Sequence, residues 1–156
     1  MILVDISNIS YAAMFQHIAM QKQTPIDEGL LRHLILNSLR ANIKKFKSVY
    51  AATPKDVVLA FDSETYWRRE LFPHYKANRK VSRTNSLFDW NSIQTHMTTI
   101  LTELLAHTPY VAVKVEGAEA DDIIGTLAPM LAEHNKVLIL SGDKDFPQLQ
   151  AHTNVS

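Results

Sequence analysis

The sequence predicts an α/β fold: a mostly parallel central sheet with helices on both faces. Two observations carry that expectation. Short apolar runs are continuous rather than alternating, as strands covered on both faces are. Stretches with apolar residues at helical spacing separate these runs, and strand–helix alternation favours a parallel sheet. The length sets the scale. With 156 residues, 46% of them hydrophobic, the chain suffices for one compact domain with a real core and is too short for two.

The strands are expected at Ile2-Leu3-Val4, at Val57 to Phe61 and at Val137 to Leu140, with Tyr110 to Val115 a weaker candidate. The first helix is expected after Thr24-Pro25, an N-cap residue followed by a first-turn proline. It places Leu31, Ile35, Leu39, Ile43 and Phe46 on one stripe. The next carries Ile93, Met97, Ile100 and Leu104 at helical spacing, and a third is expected from about Asp121 to His134. Pro129 should kink or interrupt that third helix, because proline removes a backbone donor. Residues 64–86 break the pattern, being polar, basic and aromatic. There is no internal repeat and no low-complexity tract.

Composition narrows the chemistry. The formal net charge is zero, so only the distribution of charge can speak of partners. No cysteine is present, which rules out disulfides, zinc–cysteine sites and thiol nucleophiles and fits a reducing compartment. The N-terminus lacks a basic and apolar leader, and no apolar run approaches the roughly 20 residues of a membrane helix. The expectation is a protein of the cytoplasm with no membrane partner.

The placement of carboxylates is the informative feature. Asp5 ends the first apolar run, Asp62 ends the second, and Asp143 follows the third after Ser141-Gly142. Open parallel sheets bind ligands beyond the carboxyl ends of their strands. Glu119, Asp121 and Asp122 open one predicted helix, and Asp143 and Asp145 the next. Any one of these residues is explained by turn or helix capping. Seven converging on one edge are not. Two such charges about 5 Å apart repel by about 3 kcal/mol at an effective dielectric near 20. Hard divalent cations, magnesium or manganese, suit an all-carboxylate site. Calcium would ordinarily use a loop rich in backbone carbonyls.

From Tyr66 to Arg83 there are six basic residues, Arg68, Arg69, Lys76, Arg79, Lys80 and Arg83, opposed by Glu70 alone. Tyr66, Trp67, Phe72 and Tyr75 are interleaved. Cations neutralise phosphates and aromatic faces stack on unpaired bases. A solvated helix with inward-packed aromatics explains the composition equally well. The position directly after Asp62 favours phosphate chemistry, since metals flanked by cations make a phosphoryl-transfer site.

At this point the residues resemble a known family. Tyr66-Trp67-Arg68-Arg69-Glu70-Leu71-Phe72-Pro73-His74-Tyr75-Lys76-Ala77-Asn78-Arg79 is similar to the basic segment of the 5′-nuclease or flap-endonuclease family. Val115-Glu116-Gly117-Ala118-Glu119-Ala120-Asp121-Asp122-Ile123-Ile124-Gly125-Thr126-Leu127 resembles its central acidic motif, and Ser141 to Leu149 its third. The family includes the 5′-nuclease domain of DNA polymerase I and the phage enzymes called ribonuclease H. The phage branch is nearest, judging by Leu31 to Ser38 and Tyr66 to Arg69.

The resemblance implies a PIN-like fold for residues 1–156 and two divalent metals, Mg2+ or Mn2+. It implies Asp5, Asp62, Glu119, Asp121, Asp122, Asp143 and Asp145 as direct or water-mediated ligands. It implies Lys76 and Arg79 as the cations acting on the scissile phosphate, and residues 64–86 as an arch or clamp. Arg68, Arg69, Tyr75, Lys80 and Arg83 are expected on nucleic acid, with Tyr75 as a stacking platform. The implied activity is a 5′-3′ exonuclease or flap endonuclease used in replication, with a 5′ flap, nicked or RNA-primed duplex DNA as substrate. The family continues past the third motif into a helix–three-turn–helix region that grips the duplex and adds two aspartates. The chain stops at Ser156. The expectation is therefore a second metal site short of ligands, and either a fragment or a protein whose other half is a separate chain. The alternative is a silent or partner-dependent module.

Other readings are weaker. Ser7, Ser10 and Ser141 lie near the proposed site without a histidine partner, so a nucleophilic serine is disfavoured. The seven histidines are scattered. A PIN-type ribonuclease would lack the long basic segment. A haloacid-dehalogenase-like enzyme would want an aspartate where Ser7 stands.

Overall fold

The computed structural model describes residues 1–21, 26–76 and 89–156. Among them a four-stranded sheet is entirely parallel, in the order β3-β2-β1-β4. The strands are β1 (Ile2–Asp5), β2 (Val57–Phe61), β3 (Val111–Lys114) and β4 (Leu138–Leu140). All four expected strands form, including the weaker one. Register pairs Ile2 with Val57 and with Leu138, so β2 and β4 flank β1 level with it.

The pleat sorts side chains between two cores. Ile2, Val4, Val57, Leu59, Phe61, Leu138 and Leu140 face one layer, while Leu3, Val58, Ala60 and Val137 face the other. That two-sided burial is why these runs lack polar alternation. The first layer holds three helices, α1 (Ile6–Gln21), α2 (Glu28–Lys47) and α4 (Trp90–His107). The second holds α5 (Ala120–Ala132) and a 3-10 turn at Phe146–Ala151. Between β2 and α4 lies the five-residue helix α3 (Trp67–Leu71).

Helices α2 and α4 bury the stripes that spacing predicts: Leu31, Ile35, Leu39 and Ile43 on one, Ile93, Met97, Ile100 and Leu104 on the other. Three details differ. The expected cap Thr24-Pro25 lies outside the described residues, and α2 instead starts at Glu28 under Asp27, whose carboxylate accepts the Leu30 N–H at 2.8 Å. Helix α1 had no counterpart in the sequence reading. Pro129 does not interrupt α5, which runs through it from Ala120 to Ala132. The proline leaves the Gly125 carbonyl without its usual donor, but Ala120, Ile123, Ile124, Ala128 and Ala132 still pack on the sheet. Burial of that stripe outweighs one missing bond.

The chain passes from β1 to β2 to β3 in one direction and returns to the far side of β1 for β4. The order therefore reverses between β1 and β4, and such a switch point opens a crevice at the carboxyl ends of the strands.

Candidate active site

Asp5 is the last residue of β1, Asp62 follows β2 directly, and Asp143 lies just past β4. Parallel pairing brings all three to one edge. Asp5 is buried, and it accepts the Asn8 N–H at 2.9 Å and the Ser141 hydroxyl at 3.1 Å. The Gly142 N–H donates to Asn8 Oδ1 at 2.8 Å, the Asp143 N–H to Ser141 Oγ at 3.1 Å, and the Asp145 N–H to Asp143 Oδ1 at 3.0 Å. This chain of bonds stitches the loop after β4 to the first turn of α1, across the switch point. A side chain at Gly142 would meet Asn8 Oδ1 at 3.3 Å, so glycine permits the approach.

Asp62 binds the third element. Its Oδ1 accepts the Ala120 N–H at 2.8 Å, filling one unpaired donor at the start of α5. The loops around it are also joined. Ser63 N–H donates to the Ala118 carbonyl at 2.9 Å, Gly117 N–H to Ser63 Oγ at 3.2 Å, and Trp67 N–H to the Gly117 carbonyl at 2.9 Å. Gly117 sits at φ +76°, a conformation glycine adopts without a Cβ penalty.

The acids act on one another through their charges. Burial is the main reason Asp5 is pushed up to about 6, and the charges of Asp121 and Asp62 push it further. Asp121 is raised in turn, first by burial, then by Asp143, Asp62 and Glu119. Asp5, Asp62, Glu119, Asp121 and Asp143 thus share one field at the strand ends. Asp145 is exposed and joins the group through its backbone N–H.

The remaining acids are met by cations from the basic segment. Glu119 is 2% exposed. Its Oε1 takes the Lys76 ammonium at 2.6 Å, and its Oε2 takes the Tyr75 hydroxyl at 2.8 Å and Arg68 Nη1 at 3.1 Å. Asp122 is forked by Arg68, with Nη1 to Oδ2 at 2.8 Å and Nη2 to Oδ1 at 2.7 Å. It also accepts Trp67 Nε1 at 3.2 Å and the Glu119 N–H at 2.9 Å. Arg68 holds Asp122 below the usual carboxylate range. Lys76 occupies the left-handed region at φ +57°, an uncommon conformation for lysine. Arg69 is exposed, with its guanidinium 4.8 Å from the Tyr66 ring.

The expected site residues are placed as follows. Among the described residues, no three carboxylates or imidazoles stand close enough to enclose an ion. Lys76 and Arg68 compensate Glu119, and burial favours the neutral acid at Asp5. The donor chemistry still fits a hard divalent cation, because the group is all oxygen and, among the described residues, Asp5 and Asp143 make no ion pair with a side-chain cation. Asp122 faces Arg68, whose guanidinium forks it. Tyr75 presents its hydroxyl to Glu119. Arg79, Lys80 and Arg83 lie outside the described residues. Asn8 was missed, and its signal was weak: an asparagine three residues after a strand-ending aspartate. Trp67 was read as a generic aromatic, and nothing in the sequence marks its indole N–H as a partner of Asp122.

The chain was compared with known proteins. Residues 1–156 match the family model described as the 5′-3′ exonuclease N-terminal, resolvase-like domain. Ribonuclease H of Enterobacteria phage T4 is 35% identical over 156 residues, covering 98% of this chain and 50% of that protein. The flap endonuclease Xni of Vibrio cholerae is 37% identical over 106 residues, 65% of this chain and 38% of its own. DNA polymerase I of Bacillus caldotenax is 29% identical over 153 residues, 96% of this chain and 16% of its own. The chain spans half or less of the length of these relatives. Among solved structures, the phage T5 protein co-crystallised with metal ions superposes with TM-score 0.64 at 16% identity, over 95% of this chain and 50% of that one. A T5 flap endonuclease in complex with DNA and metal ions gives 0.63 at 19%, over 93% and 49%. At these identities the likeness establishes the PIN-like fold.

Proposed function

This chain belongs to the 5′-3′ exonuclease N-terminal, resolvase-like domain family, and on that premise we propose that it is the metal-binding part of a DNA 5′-nuclease. Its substrates are 5′-flapped, nicked or RNA-primed duplexes met in replication, and its place is the cytoplasm. No helix among the described residues is long and apolar enough to cross a membrane. One observation carries the reading: β1, β2, β4 and α5 bring five carboxylates to one edge, where Asp121 feels the charges of the others and Lys76 meets Glu119.

Asp5, Asp62, Glu119, Asp121 and Asp143 are the residues to hold Mg2+ or Mn2+, two ions in all, with Asp145 at the rim. Bound there, the metals supply an activated water and neutralise charge on the phosphate oxygens. The chain's own residues do the rest. Ser141 and Asn8 fix the Asp5 carboxylate and the loop carrying Asp143. Lys76 stands 2.6 Å from Glu119, so its ammonium lies at the boundary between acids and substrate. From there it steers the scissile phosphate by charge-assisted contact. Arg79 shares that role, and Arg69, Lys80 and Arg83 hold the strand beyond.

The test is cleavage of a 5′-labelled flap and a nicked duplex by the purified chain, with Mg2+ or with EDTA. Cleavage should require the metal and should be abolished by Asp143→Asn. Metal-independent cleavage, or full activity in that variant, overturns the reading.

A further inference from the structure

Helix α3 raises a question of support. It has five residues and none of them is buried, and Leu71 and Phe72 are open to solvent. A helix this short does not persist alone, and no apolar face pins it down. What holds it is polar. Trp67 N–H reaches the Gly117 carbonyl, and the Trp67 indole and the Arg68 fork both converge on Asp122. The Arg68 guanidinium also lies 4.6 Å from the Trp67 ring and 5.9 Å from the Tyr75 ring. The two turns of chain leading to Lys76 are thus draped around one ion pair.

Asp122 has little left to offer an ion. Oδ1 accepts Arg68 Nη2, while Oδ2 accepts Arg68 Nη1, Trp67 Nε1 and the Glu119 N–H. Oδ2 is thus fully engaged, and the lone pair left on Oδ1 lies beside the Arg68 charge. The adjacent Asp121 has the opposite character: it sits in the field of Asp143, Asp62 and Glu119. Neighbouring positions on a helix point about 100° apart, so the two carboxylates at the head of α5 face different tasks.

We propose that Asp122 is a positioning residue and not a metal ligand: its bidentate pair with Arg68 anchors α3 to α5 and so sets Tyr75 and Lys76 against Glu119. The proposal rests on the nuclease reading for its kinetic consequences, and the anchor itself is testable without it. Asp122→Asn suits the purpose. The amide keeps an oxygen for the Glu119 N–H, but turns a donor towards a guanidinium that has donors only. Arg68→Ala breaks the same pair from the other side and leaves the head of α5 intact, so it serves if the first variant folds poorly.

Three measurements on the full chain decide the matter. The first is Mn2+ affinity by electron paramagnetic resonance without DNA. Asp122→Asn should stay within about twofold of the parent, while Asp143→Asn loses more than about tenfold. The second is the Trp67 indole N–H signal by NMR, identified with Trp67→Phe. It should move in both anchor variants and stay in place in Asp143→Asn. The third is turnover on a flap substrate at saturating metal. Each anchor variant should fall about 10- to 100-fold in kcat, the double variant should fall no further, and Arg68→Lys should not rescue, since an ammonium cannot fork a carboxylate. An Asp122→Asn protein that loses Mn2+ as Asp143→Asn does, or whose Trp67 signal is unmoved, overturns the proposal. A parent chain that binds no Mn2+ overturns the nuclease reading, and the indole signal then still accepts or rejects the anchor.

Discussion

Replacing Asp5 with asparagine isolates the cost of keeping a carboxylate at the buried end of β1. The folded protein pushes Asp5 from 3.8 up to about 6, chiefly by burial, with Asp121 and Asp62 adding to the push. A shift of about 2 pKa units corresponds to about 3 kcal/mol of penalty on the ionised form. Because the folded-state value is raised, the native state of the parent binds its proton more tightly than the unfolded chain does. Its stability therefore falls as pH rises from about 4 to about 6, and the full penalty stands above that window. Asparagine carries no charge to penalise. It keeps an oxygen for the Asn8 N–H, but Ser141 must reorient to accept the amide instead of donating. That exchange costs about 1 kcal/mol. The net expectation at pH 8 is a gain of about 2 kcal/mol, or roughly 4–8 °C in Tm for a chain of this size. Thermal unfolding followed by circular dichroism in EDTA, at pH 8, 6.5 and 5, reads it. The gain should shrink towards pH 5 and vanish below it. With Mg2+ the parent alone should be stabilised by its ligand. A lower Tm for Asp5→Asn at pH 8, or the same offset at pH 5 and pH 8, refutes the argument.

Other perturbations separate the remaining contributions. Lys76→Met removes one of the groups compensating a 2% exposed Glu119. With Arg68 and Tyr75 still in place, it should cost about 1–3 kcal/mol in metal-free buffer, and Mg2+ should recover part of that in a thermal melt. Gly117→Ala adds a methyl that meets no atom within 4 Å, so its cost of about 1–2 kcal/mol should be pure backbone strain at φ +76°. Urea unfolding of that variant with an unchanged midpoint would refute the strain. Pro129→Ala restores the donor for the Gly125 carbonyl within an unbroken helix and should raise stability by about 1–3 kcal/mol in urea. Its flap cleavage should not change, because Pro129 lies turns away from the head of α5.

Much of the architecture is local and therefore legible in the sequence. Parallel strands covered on both faces must be apolar throughout, so Ile2 to Val4, Val57 to Phe61 and Val137 to Leu140 announce themselves. Once those strands are parallel, Asp5, Asp62 and Asp143 must share an edge. The stripes of α2 and α4 follow from the 3.6-residue period. Helix α1 escaped because its apolar residues surround it: Ile6, Ile9 and Met14 are buried, while Phe15 and Met20 are exposed. No single stripe marks such a helix. Pro129 misled because a rule about one hydrogen bond was set against the packing of a whole helix face.

The amino-acid order by itself determined which acidic residues would gather at the ends of β1, β2 and β4 and which basic segment would lie beside them. Only the tertiary structure decided which oxygen meets which cation: Asp121 turned to the acids and Asp122 to Arg68, Tyr75 and Lys76 closed on Glu119. Position along a strand or helix is set by short-range backbone geometry, which sequence spacing encodes. The pairing of charged side chains joins groups 43 to 54 residues apart, through rotamers and loop conformations that depend on the assembled fold.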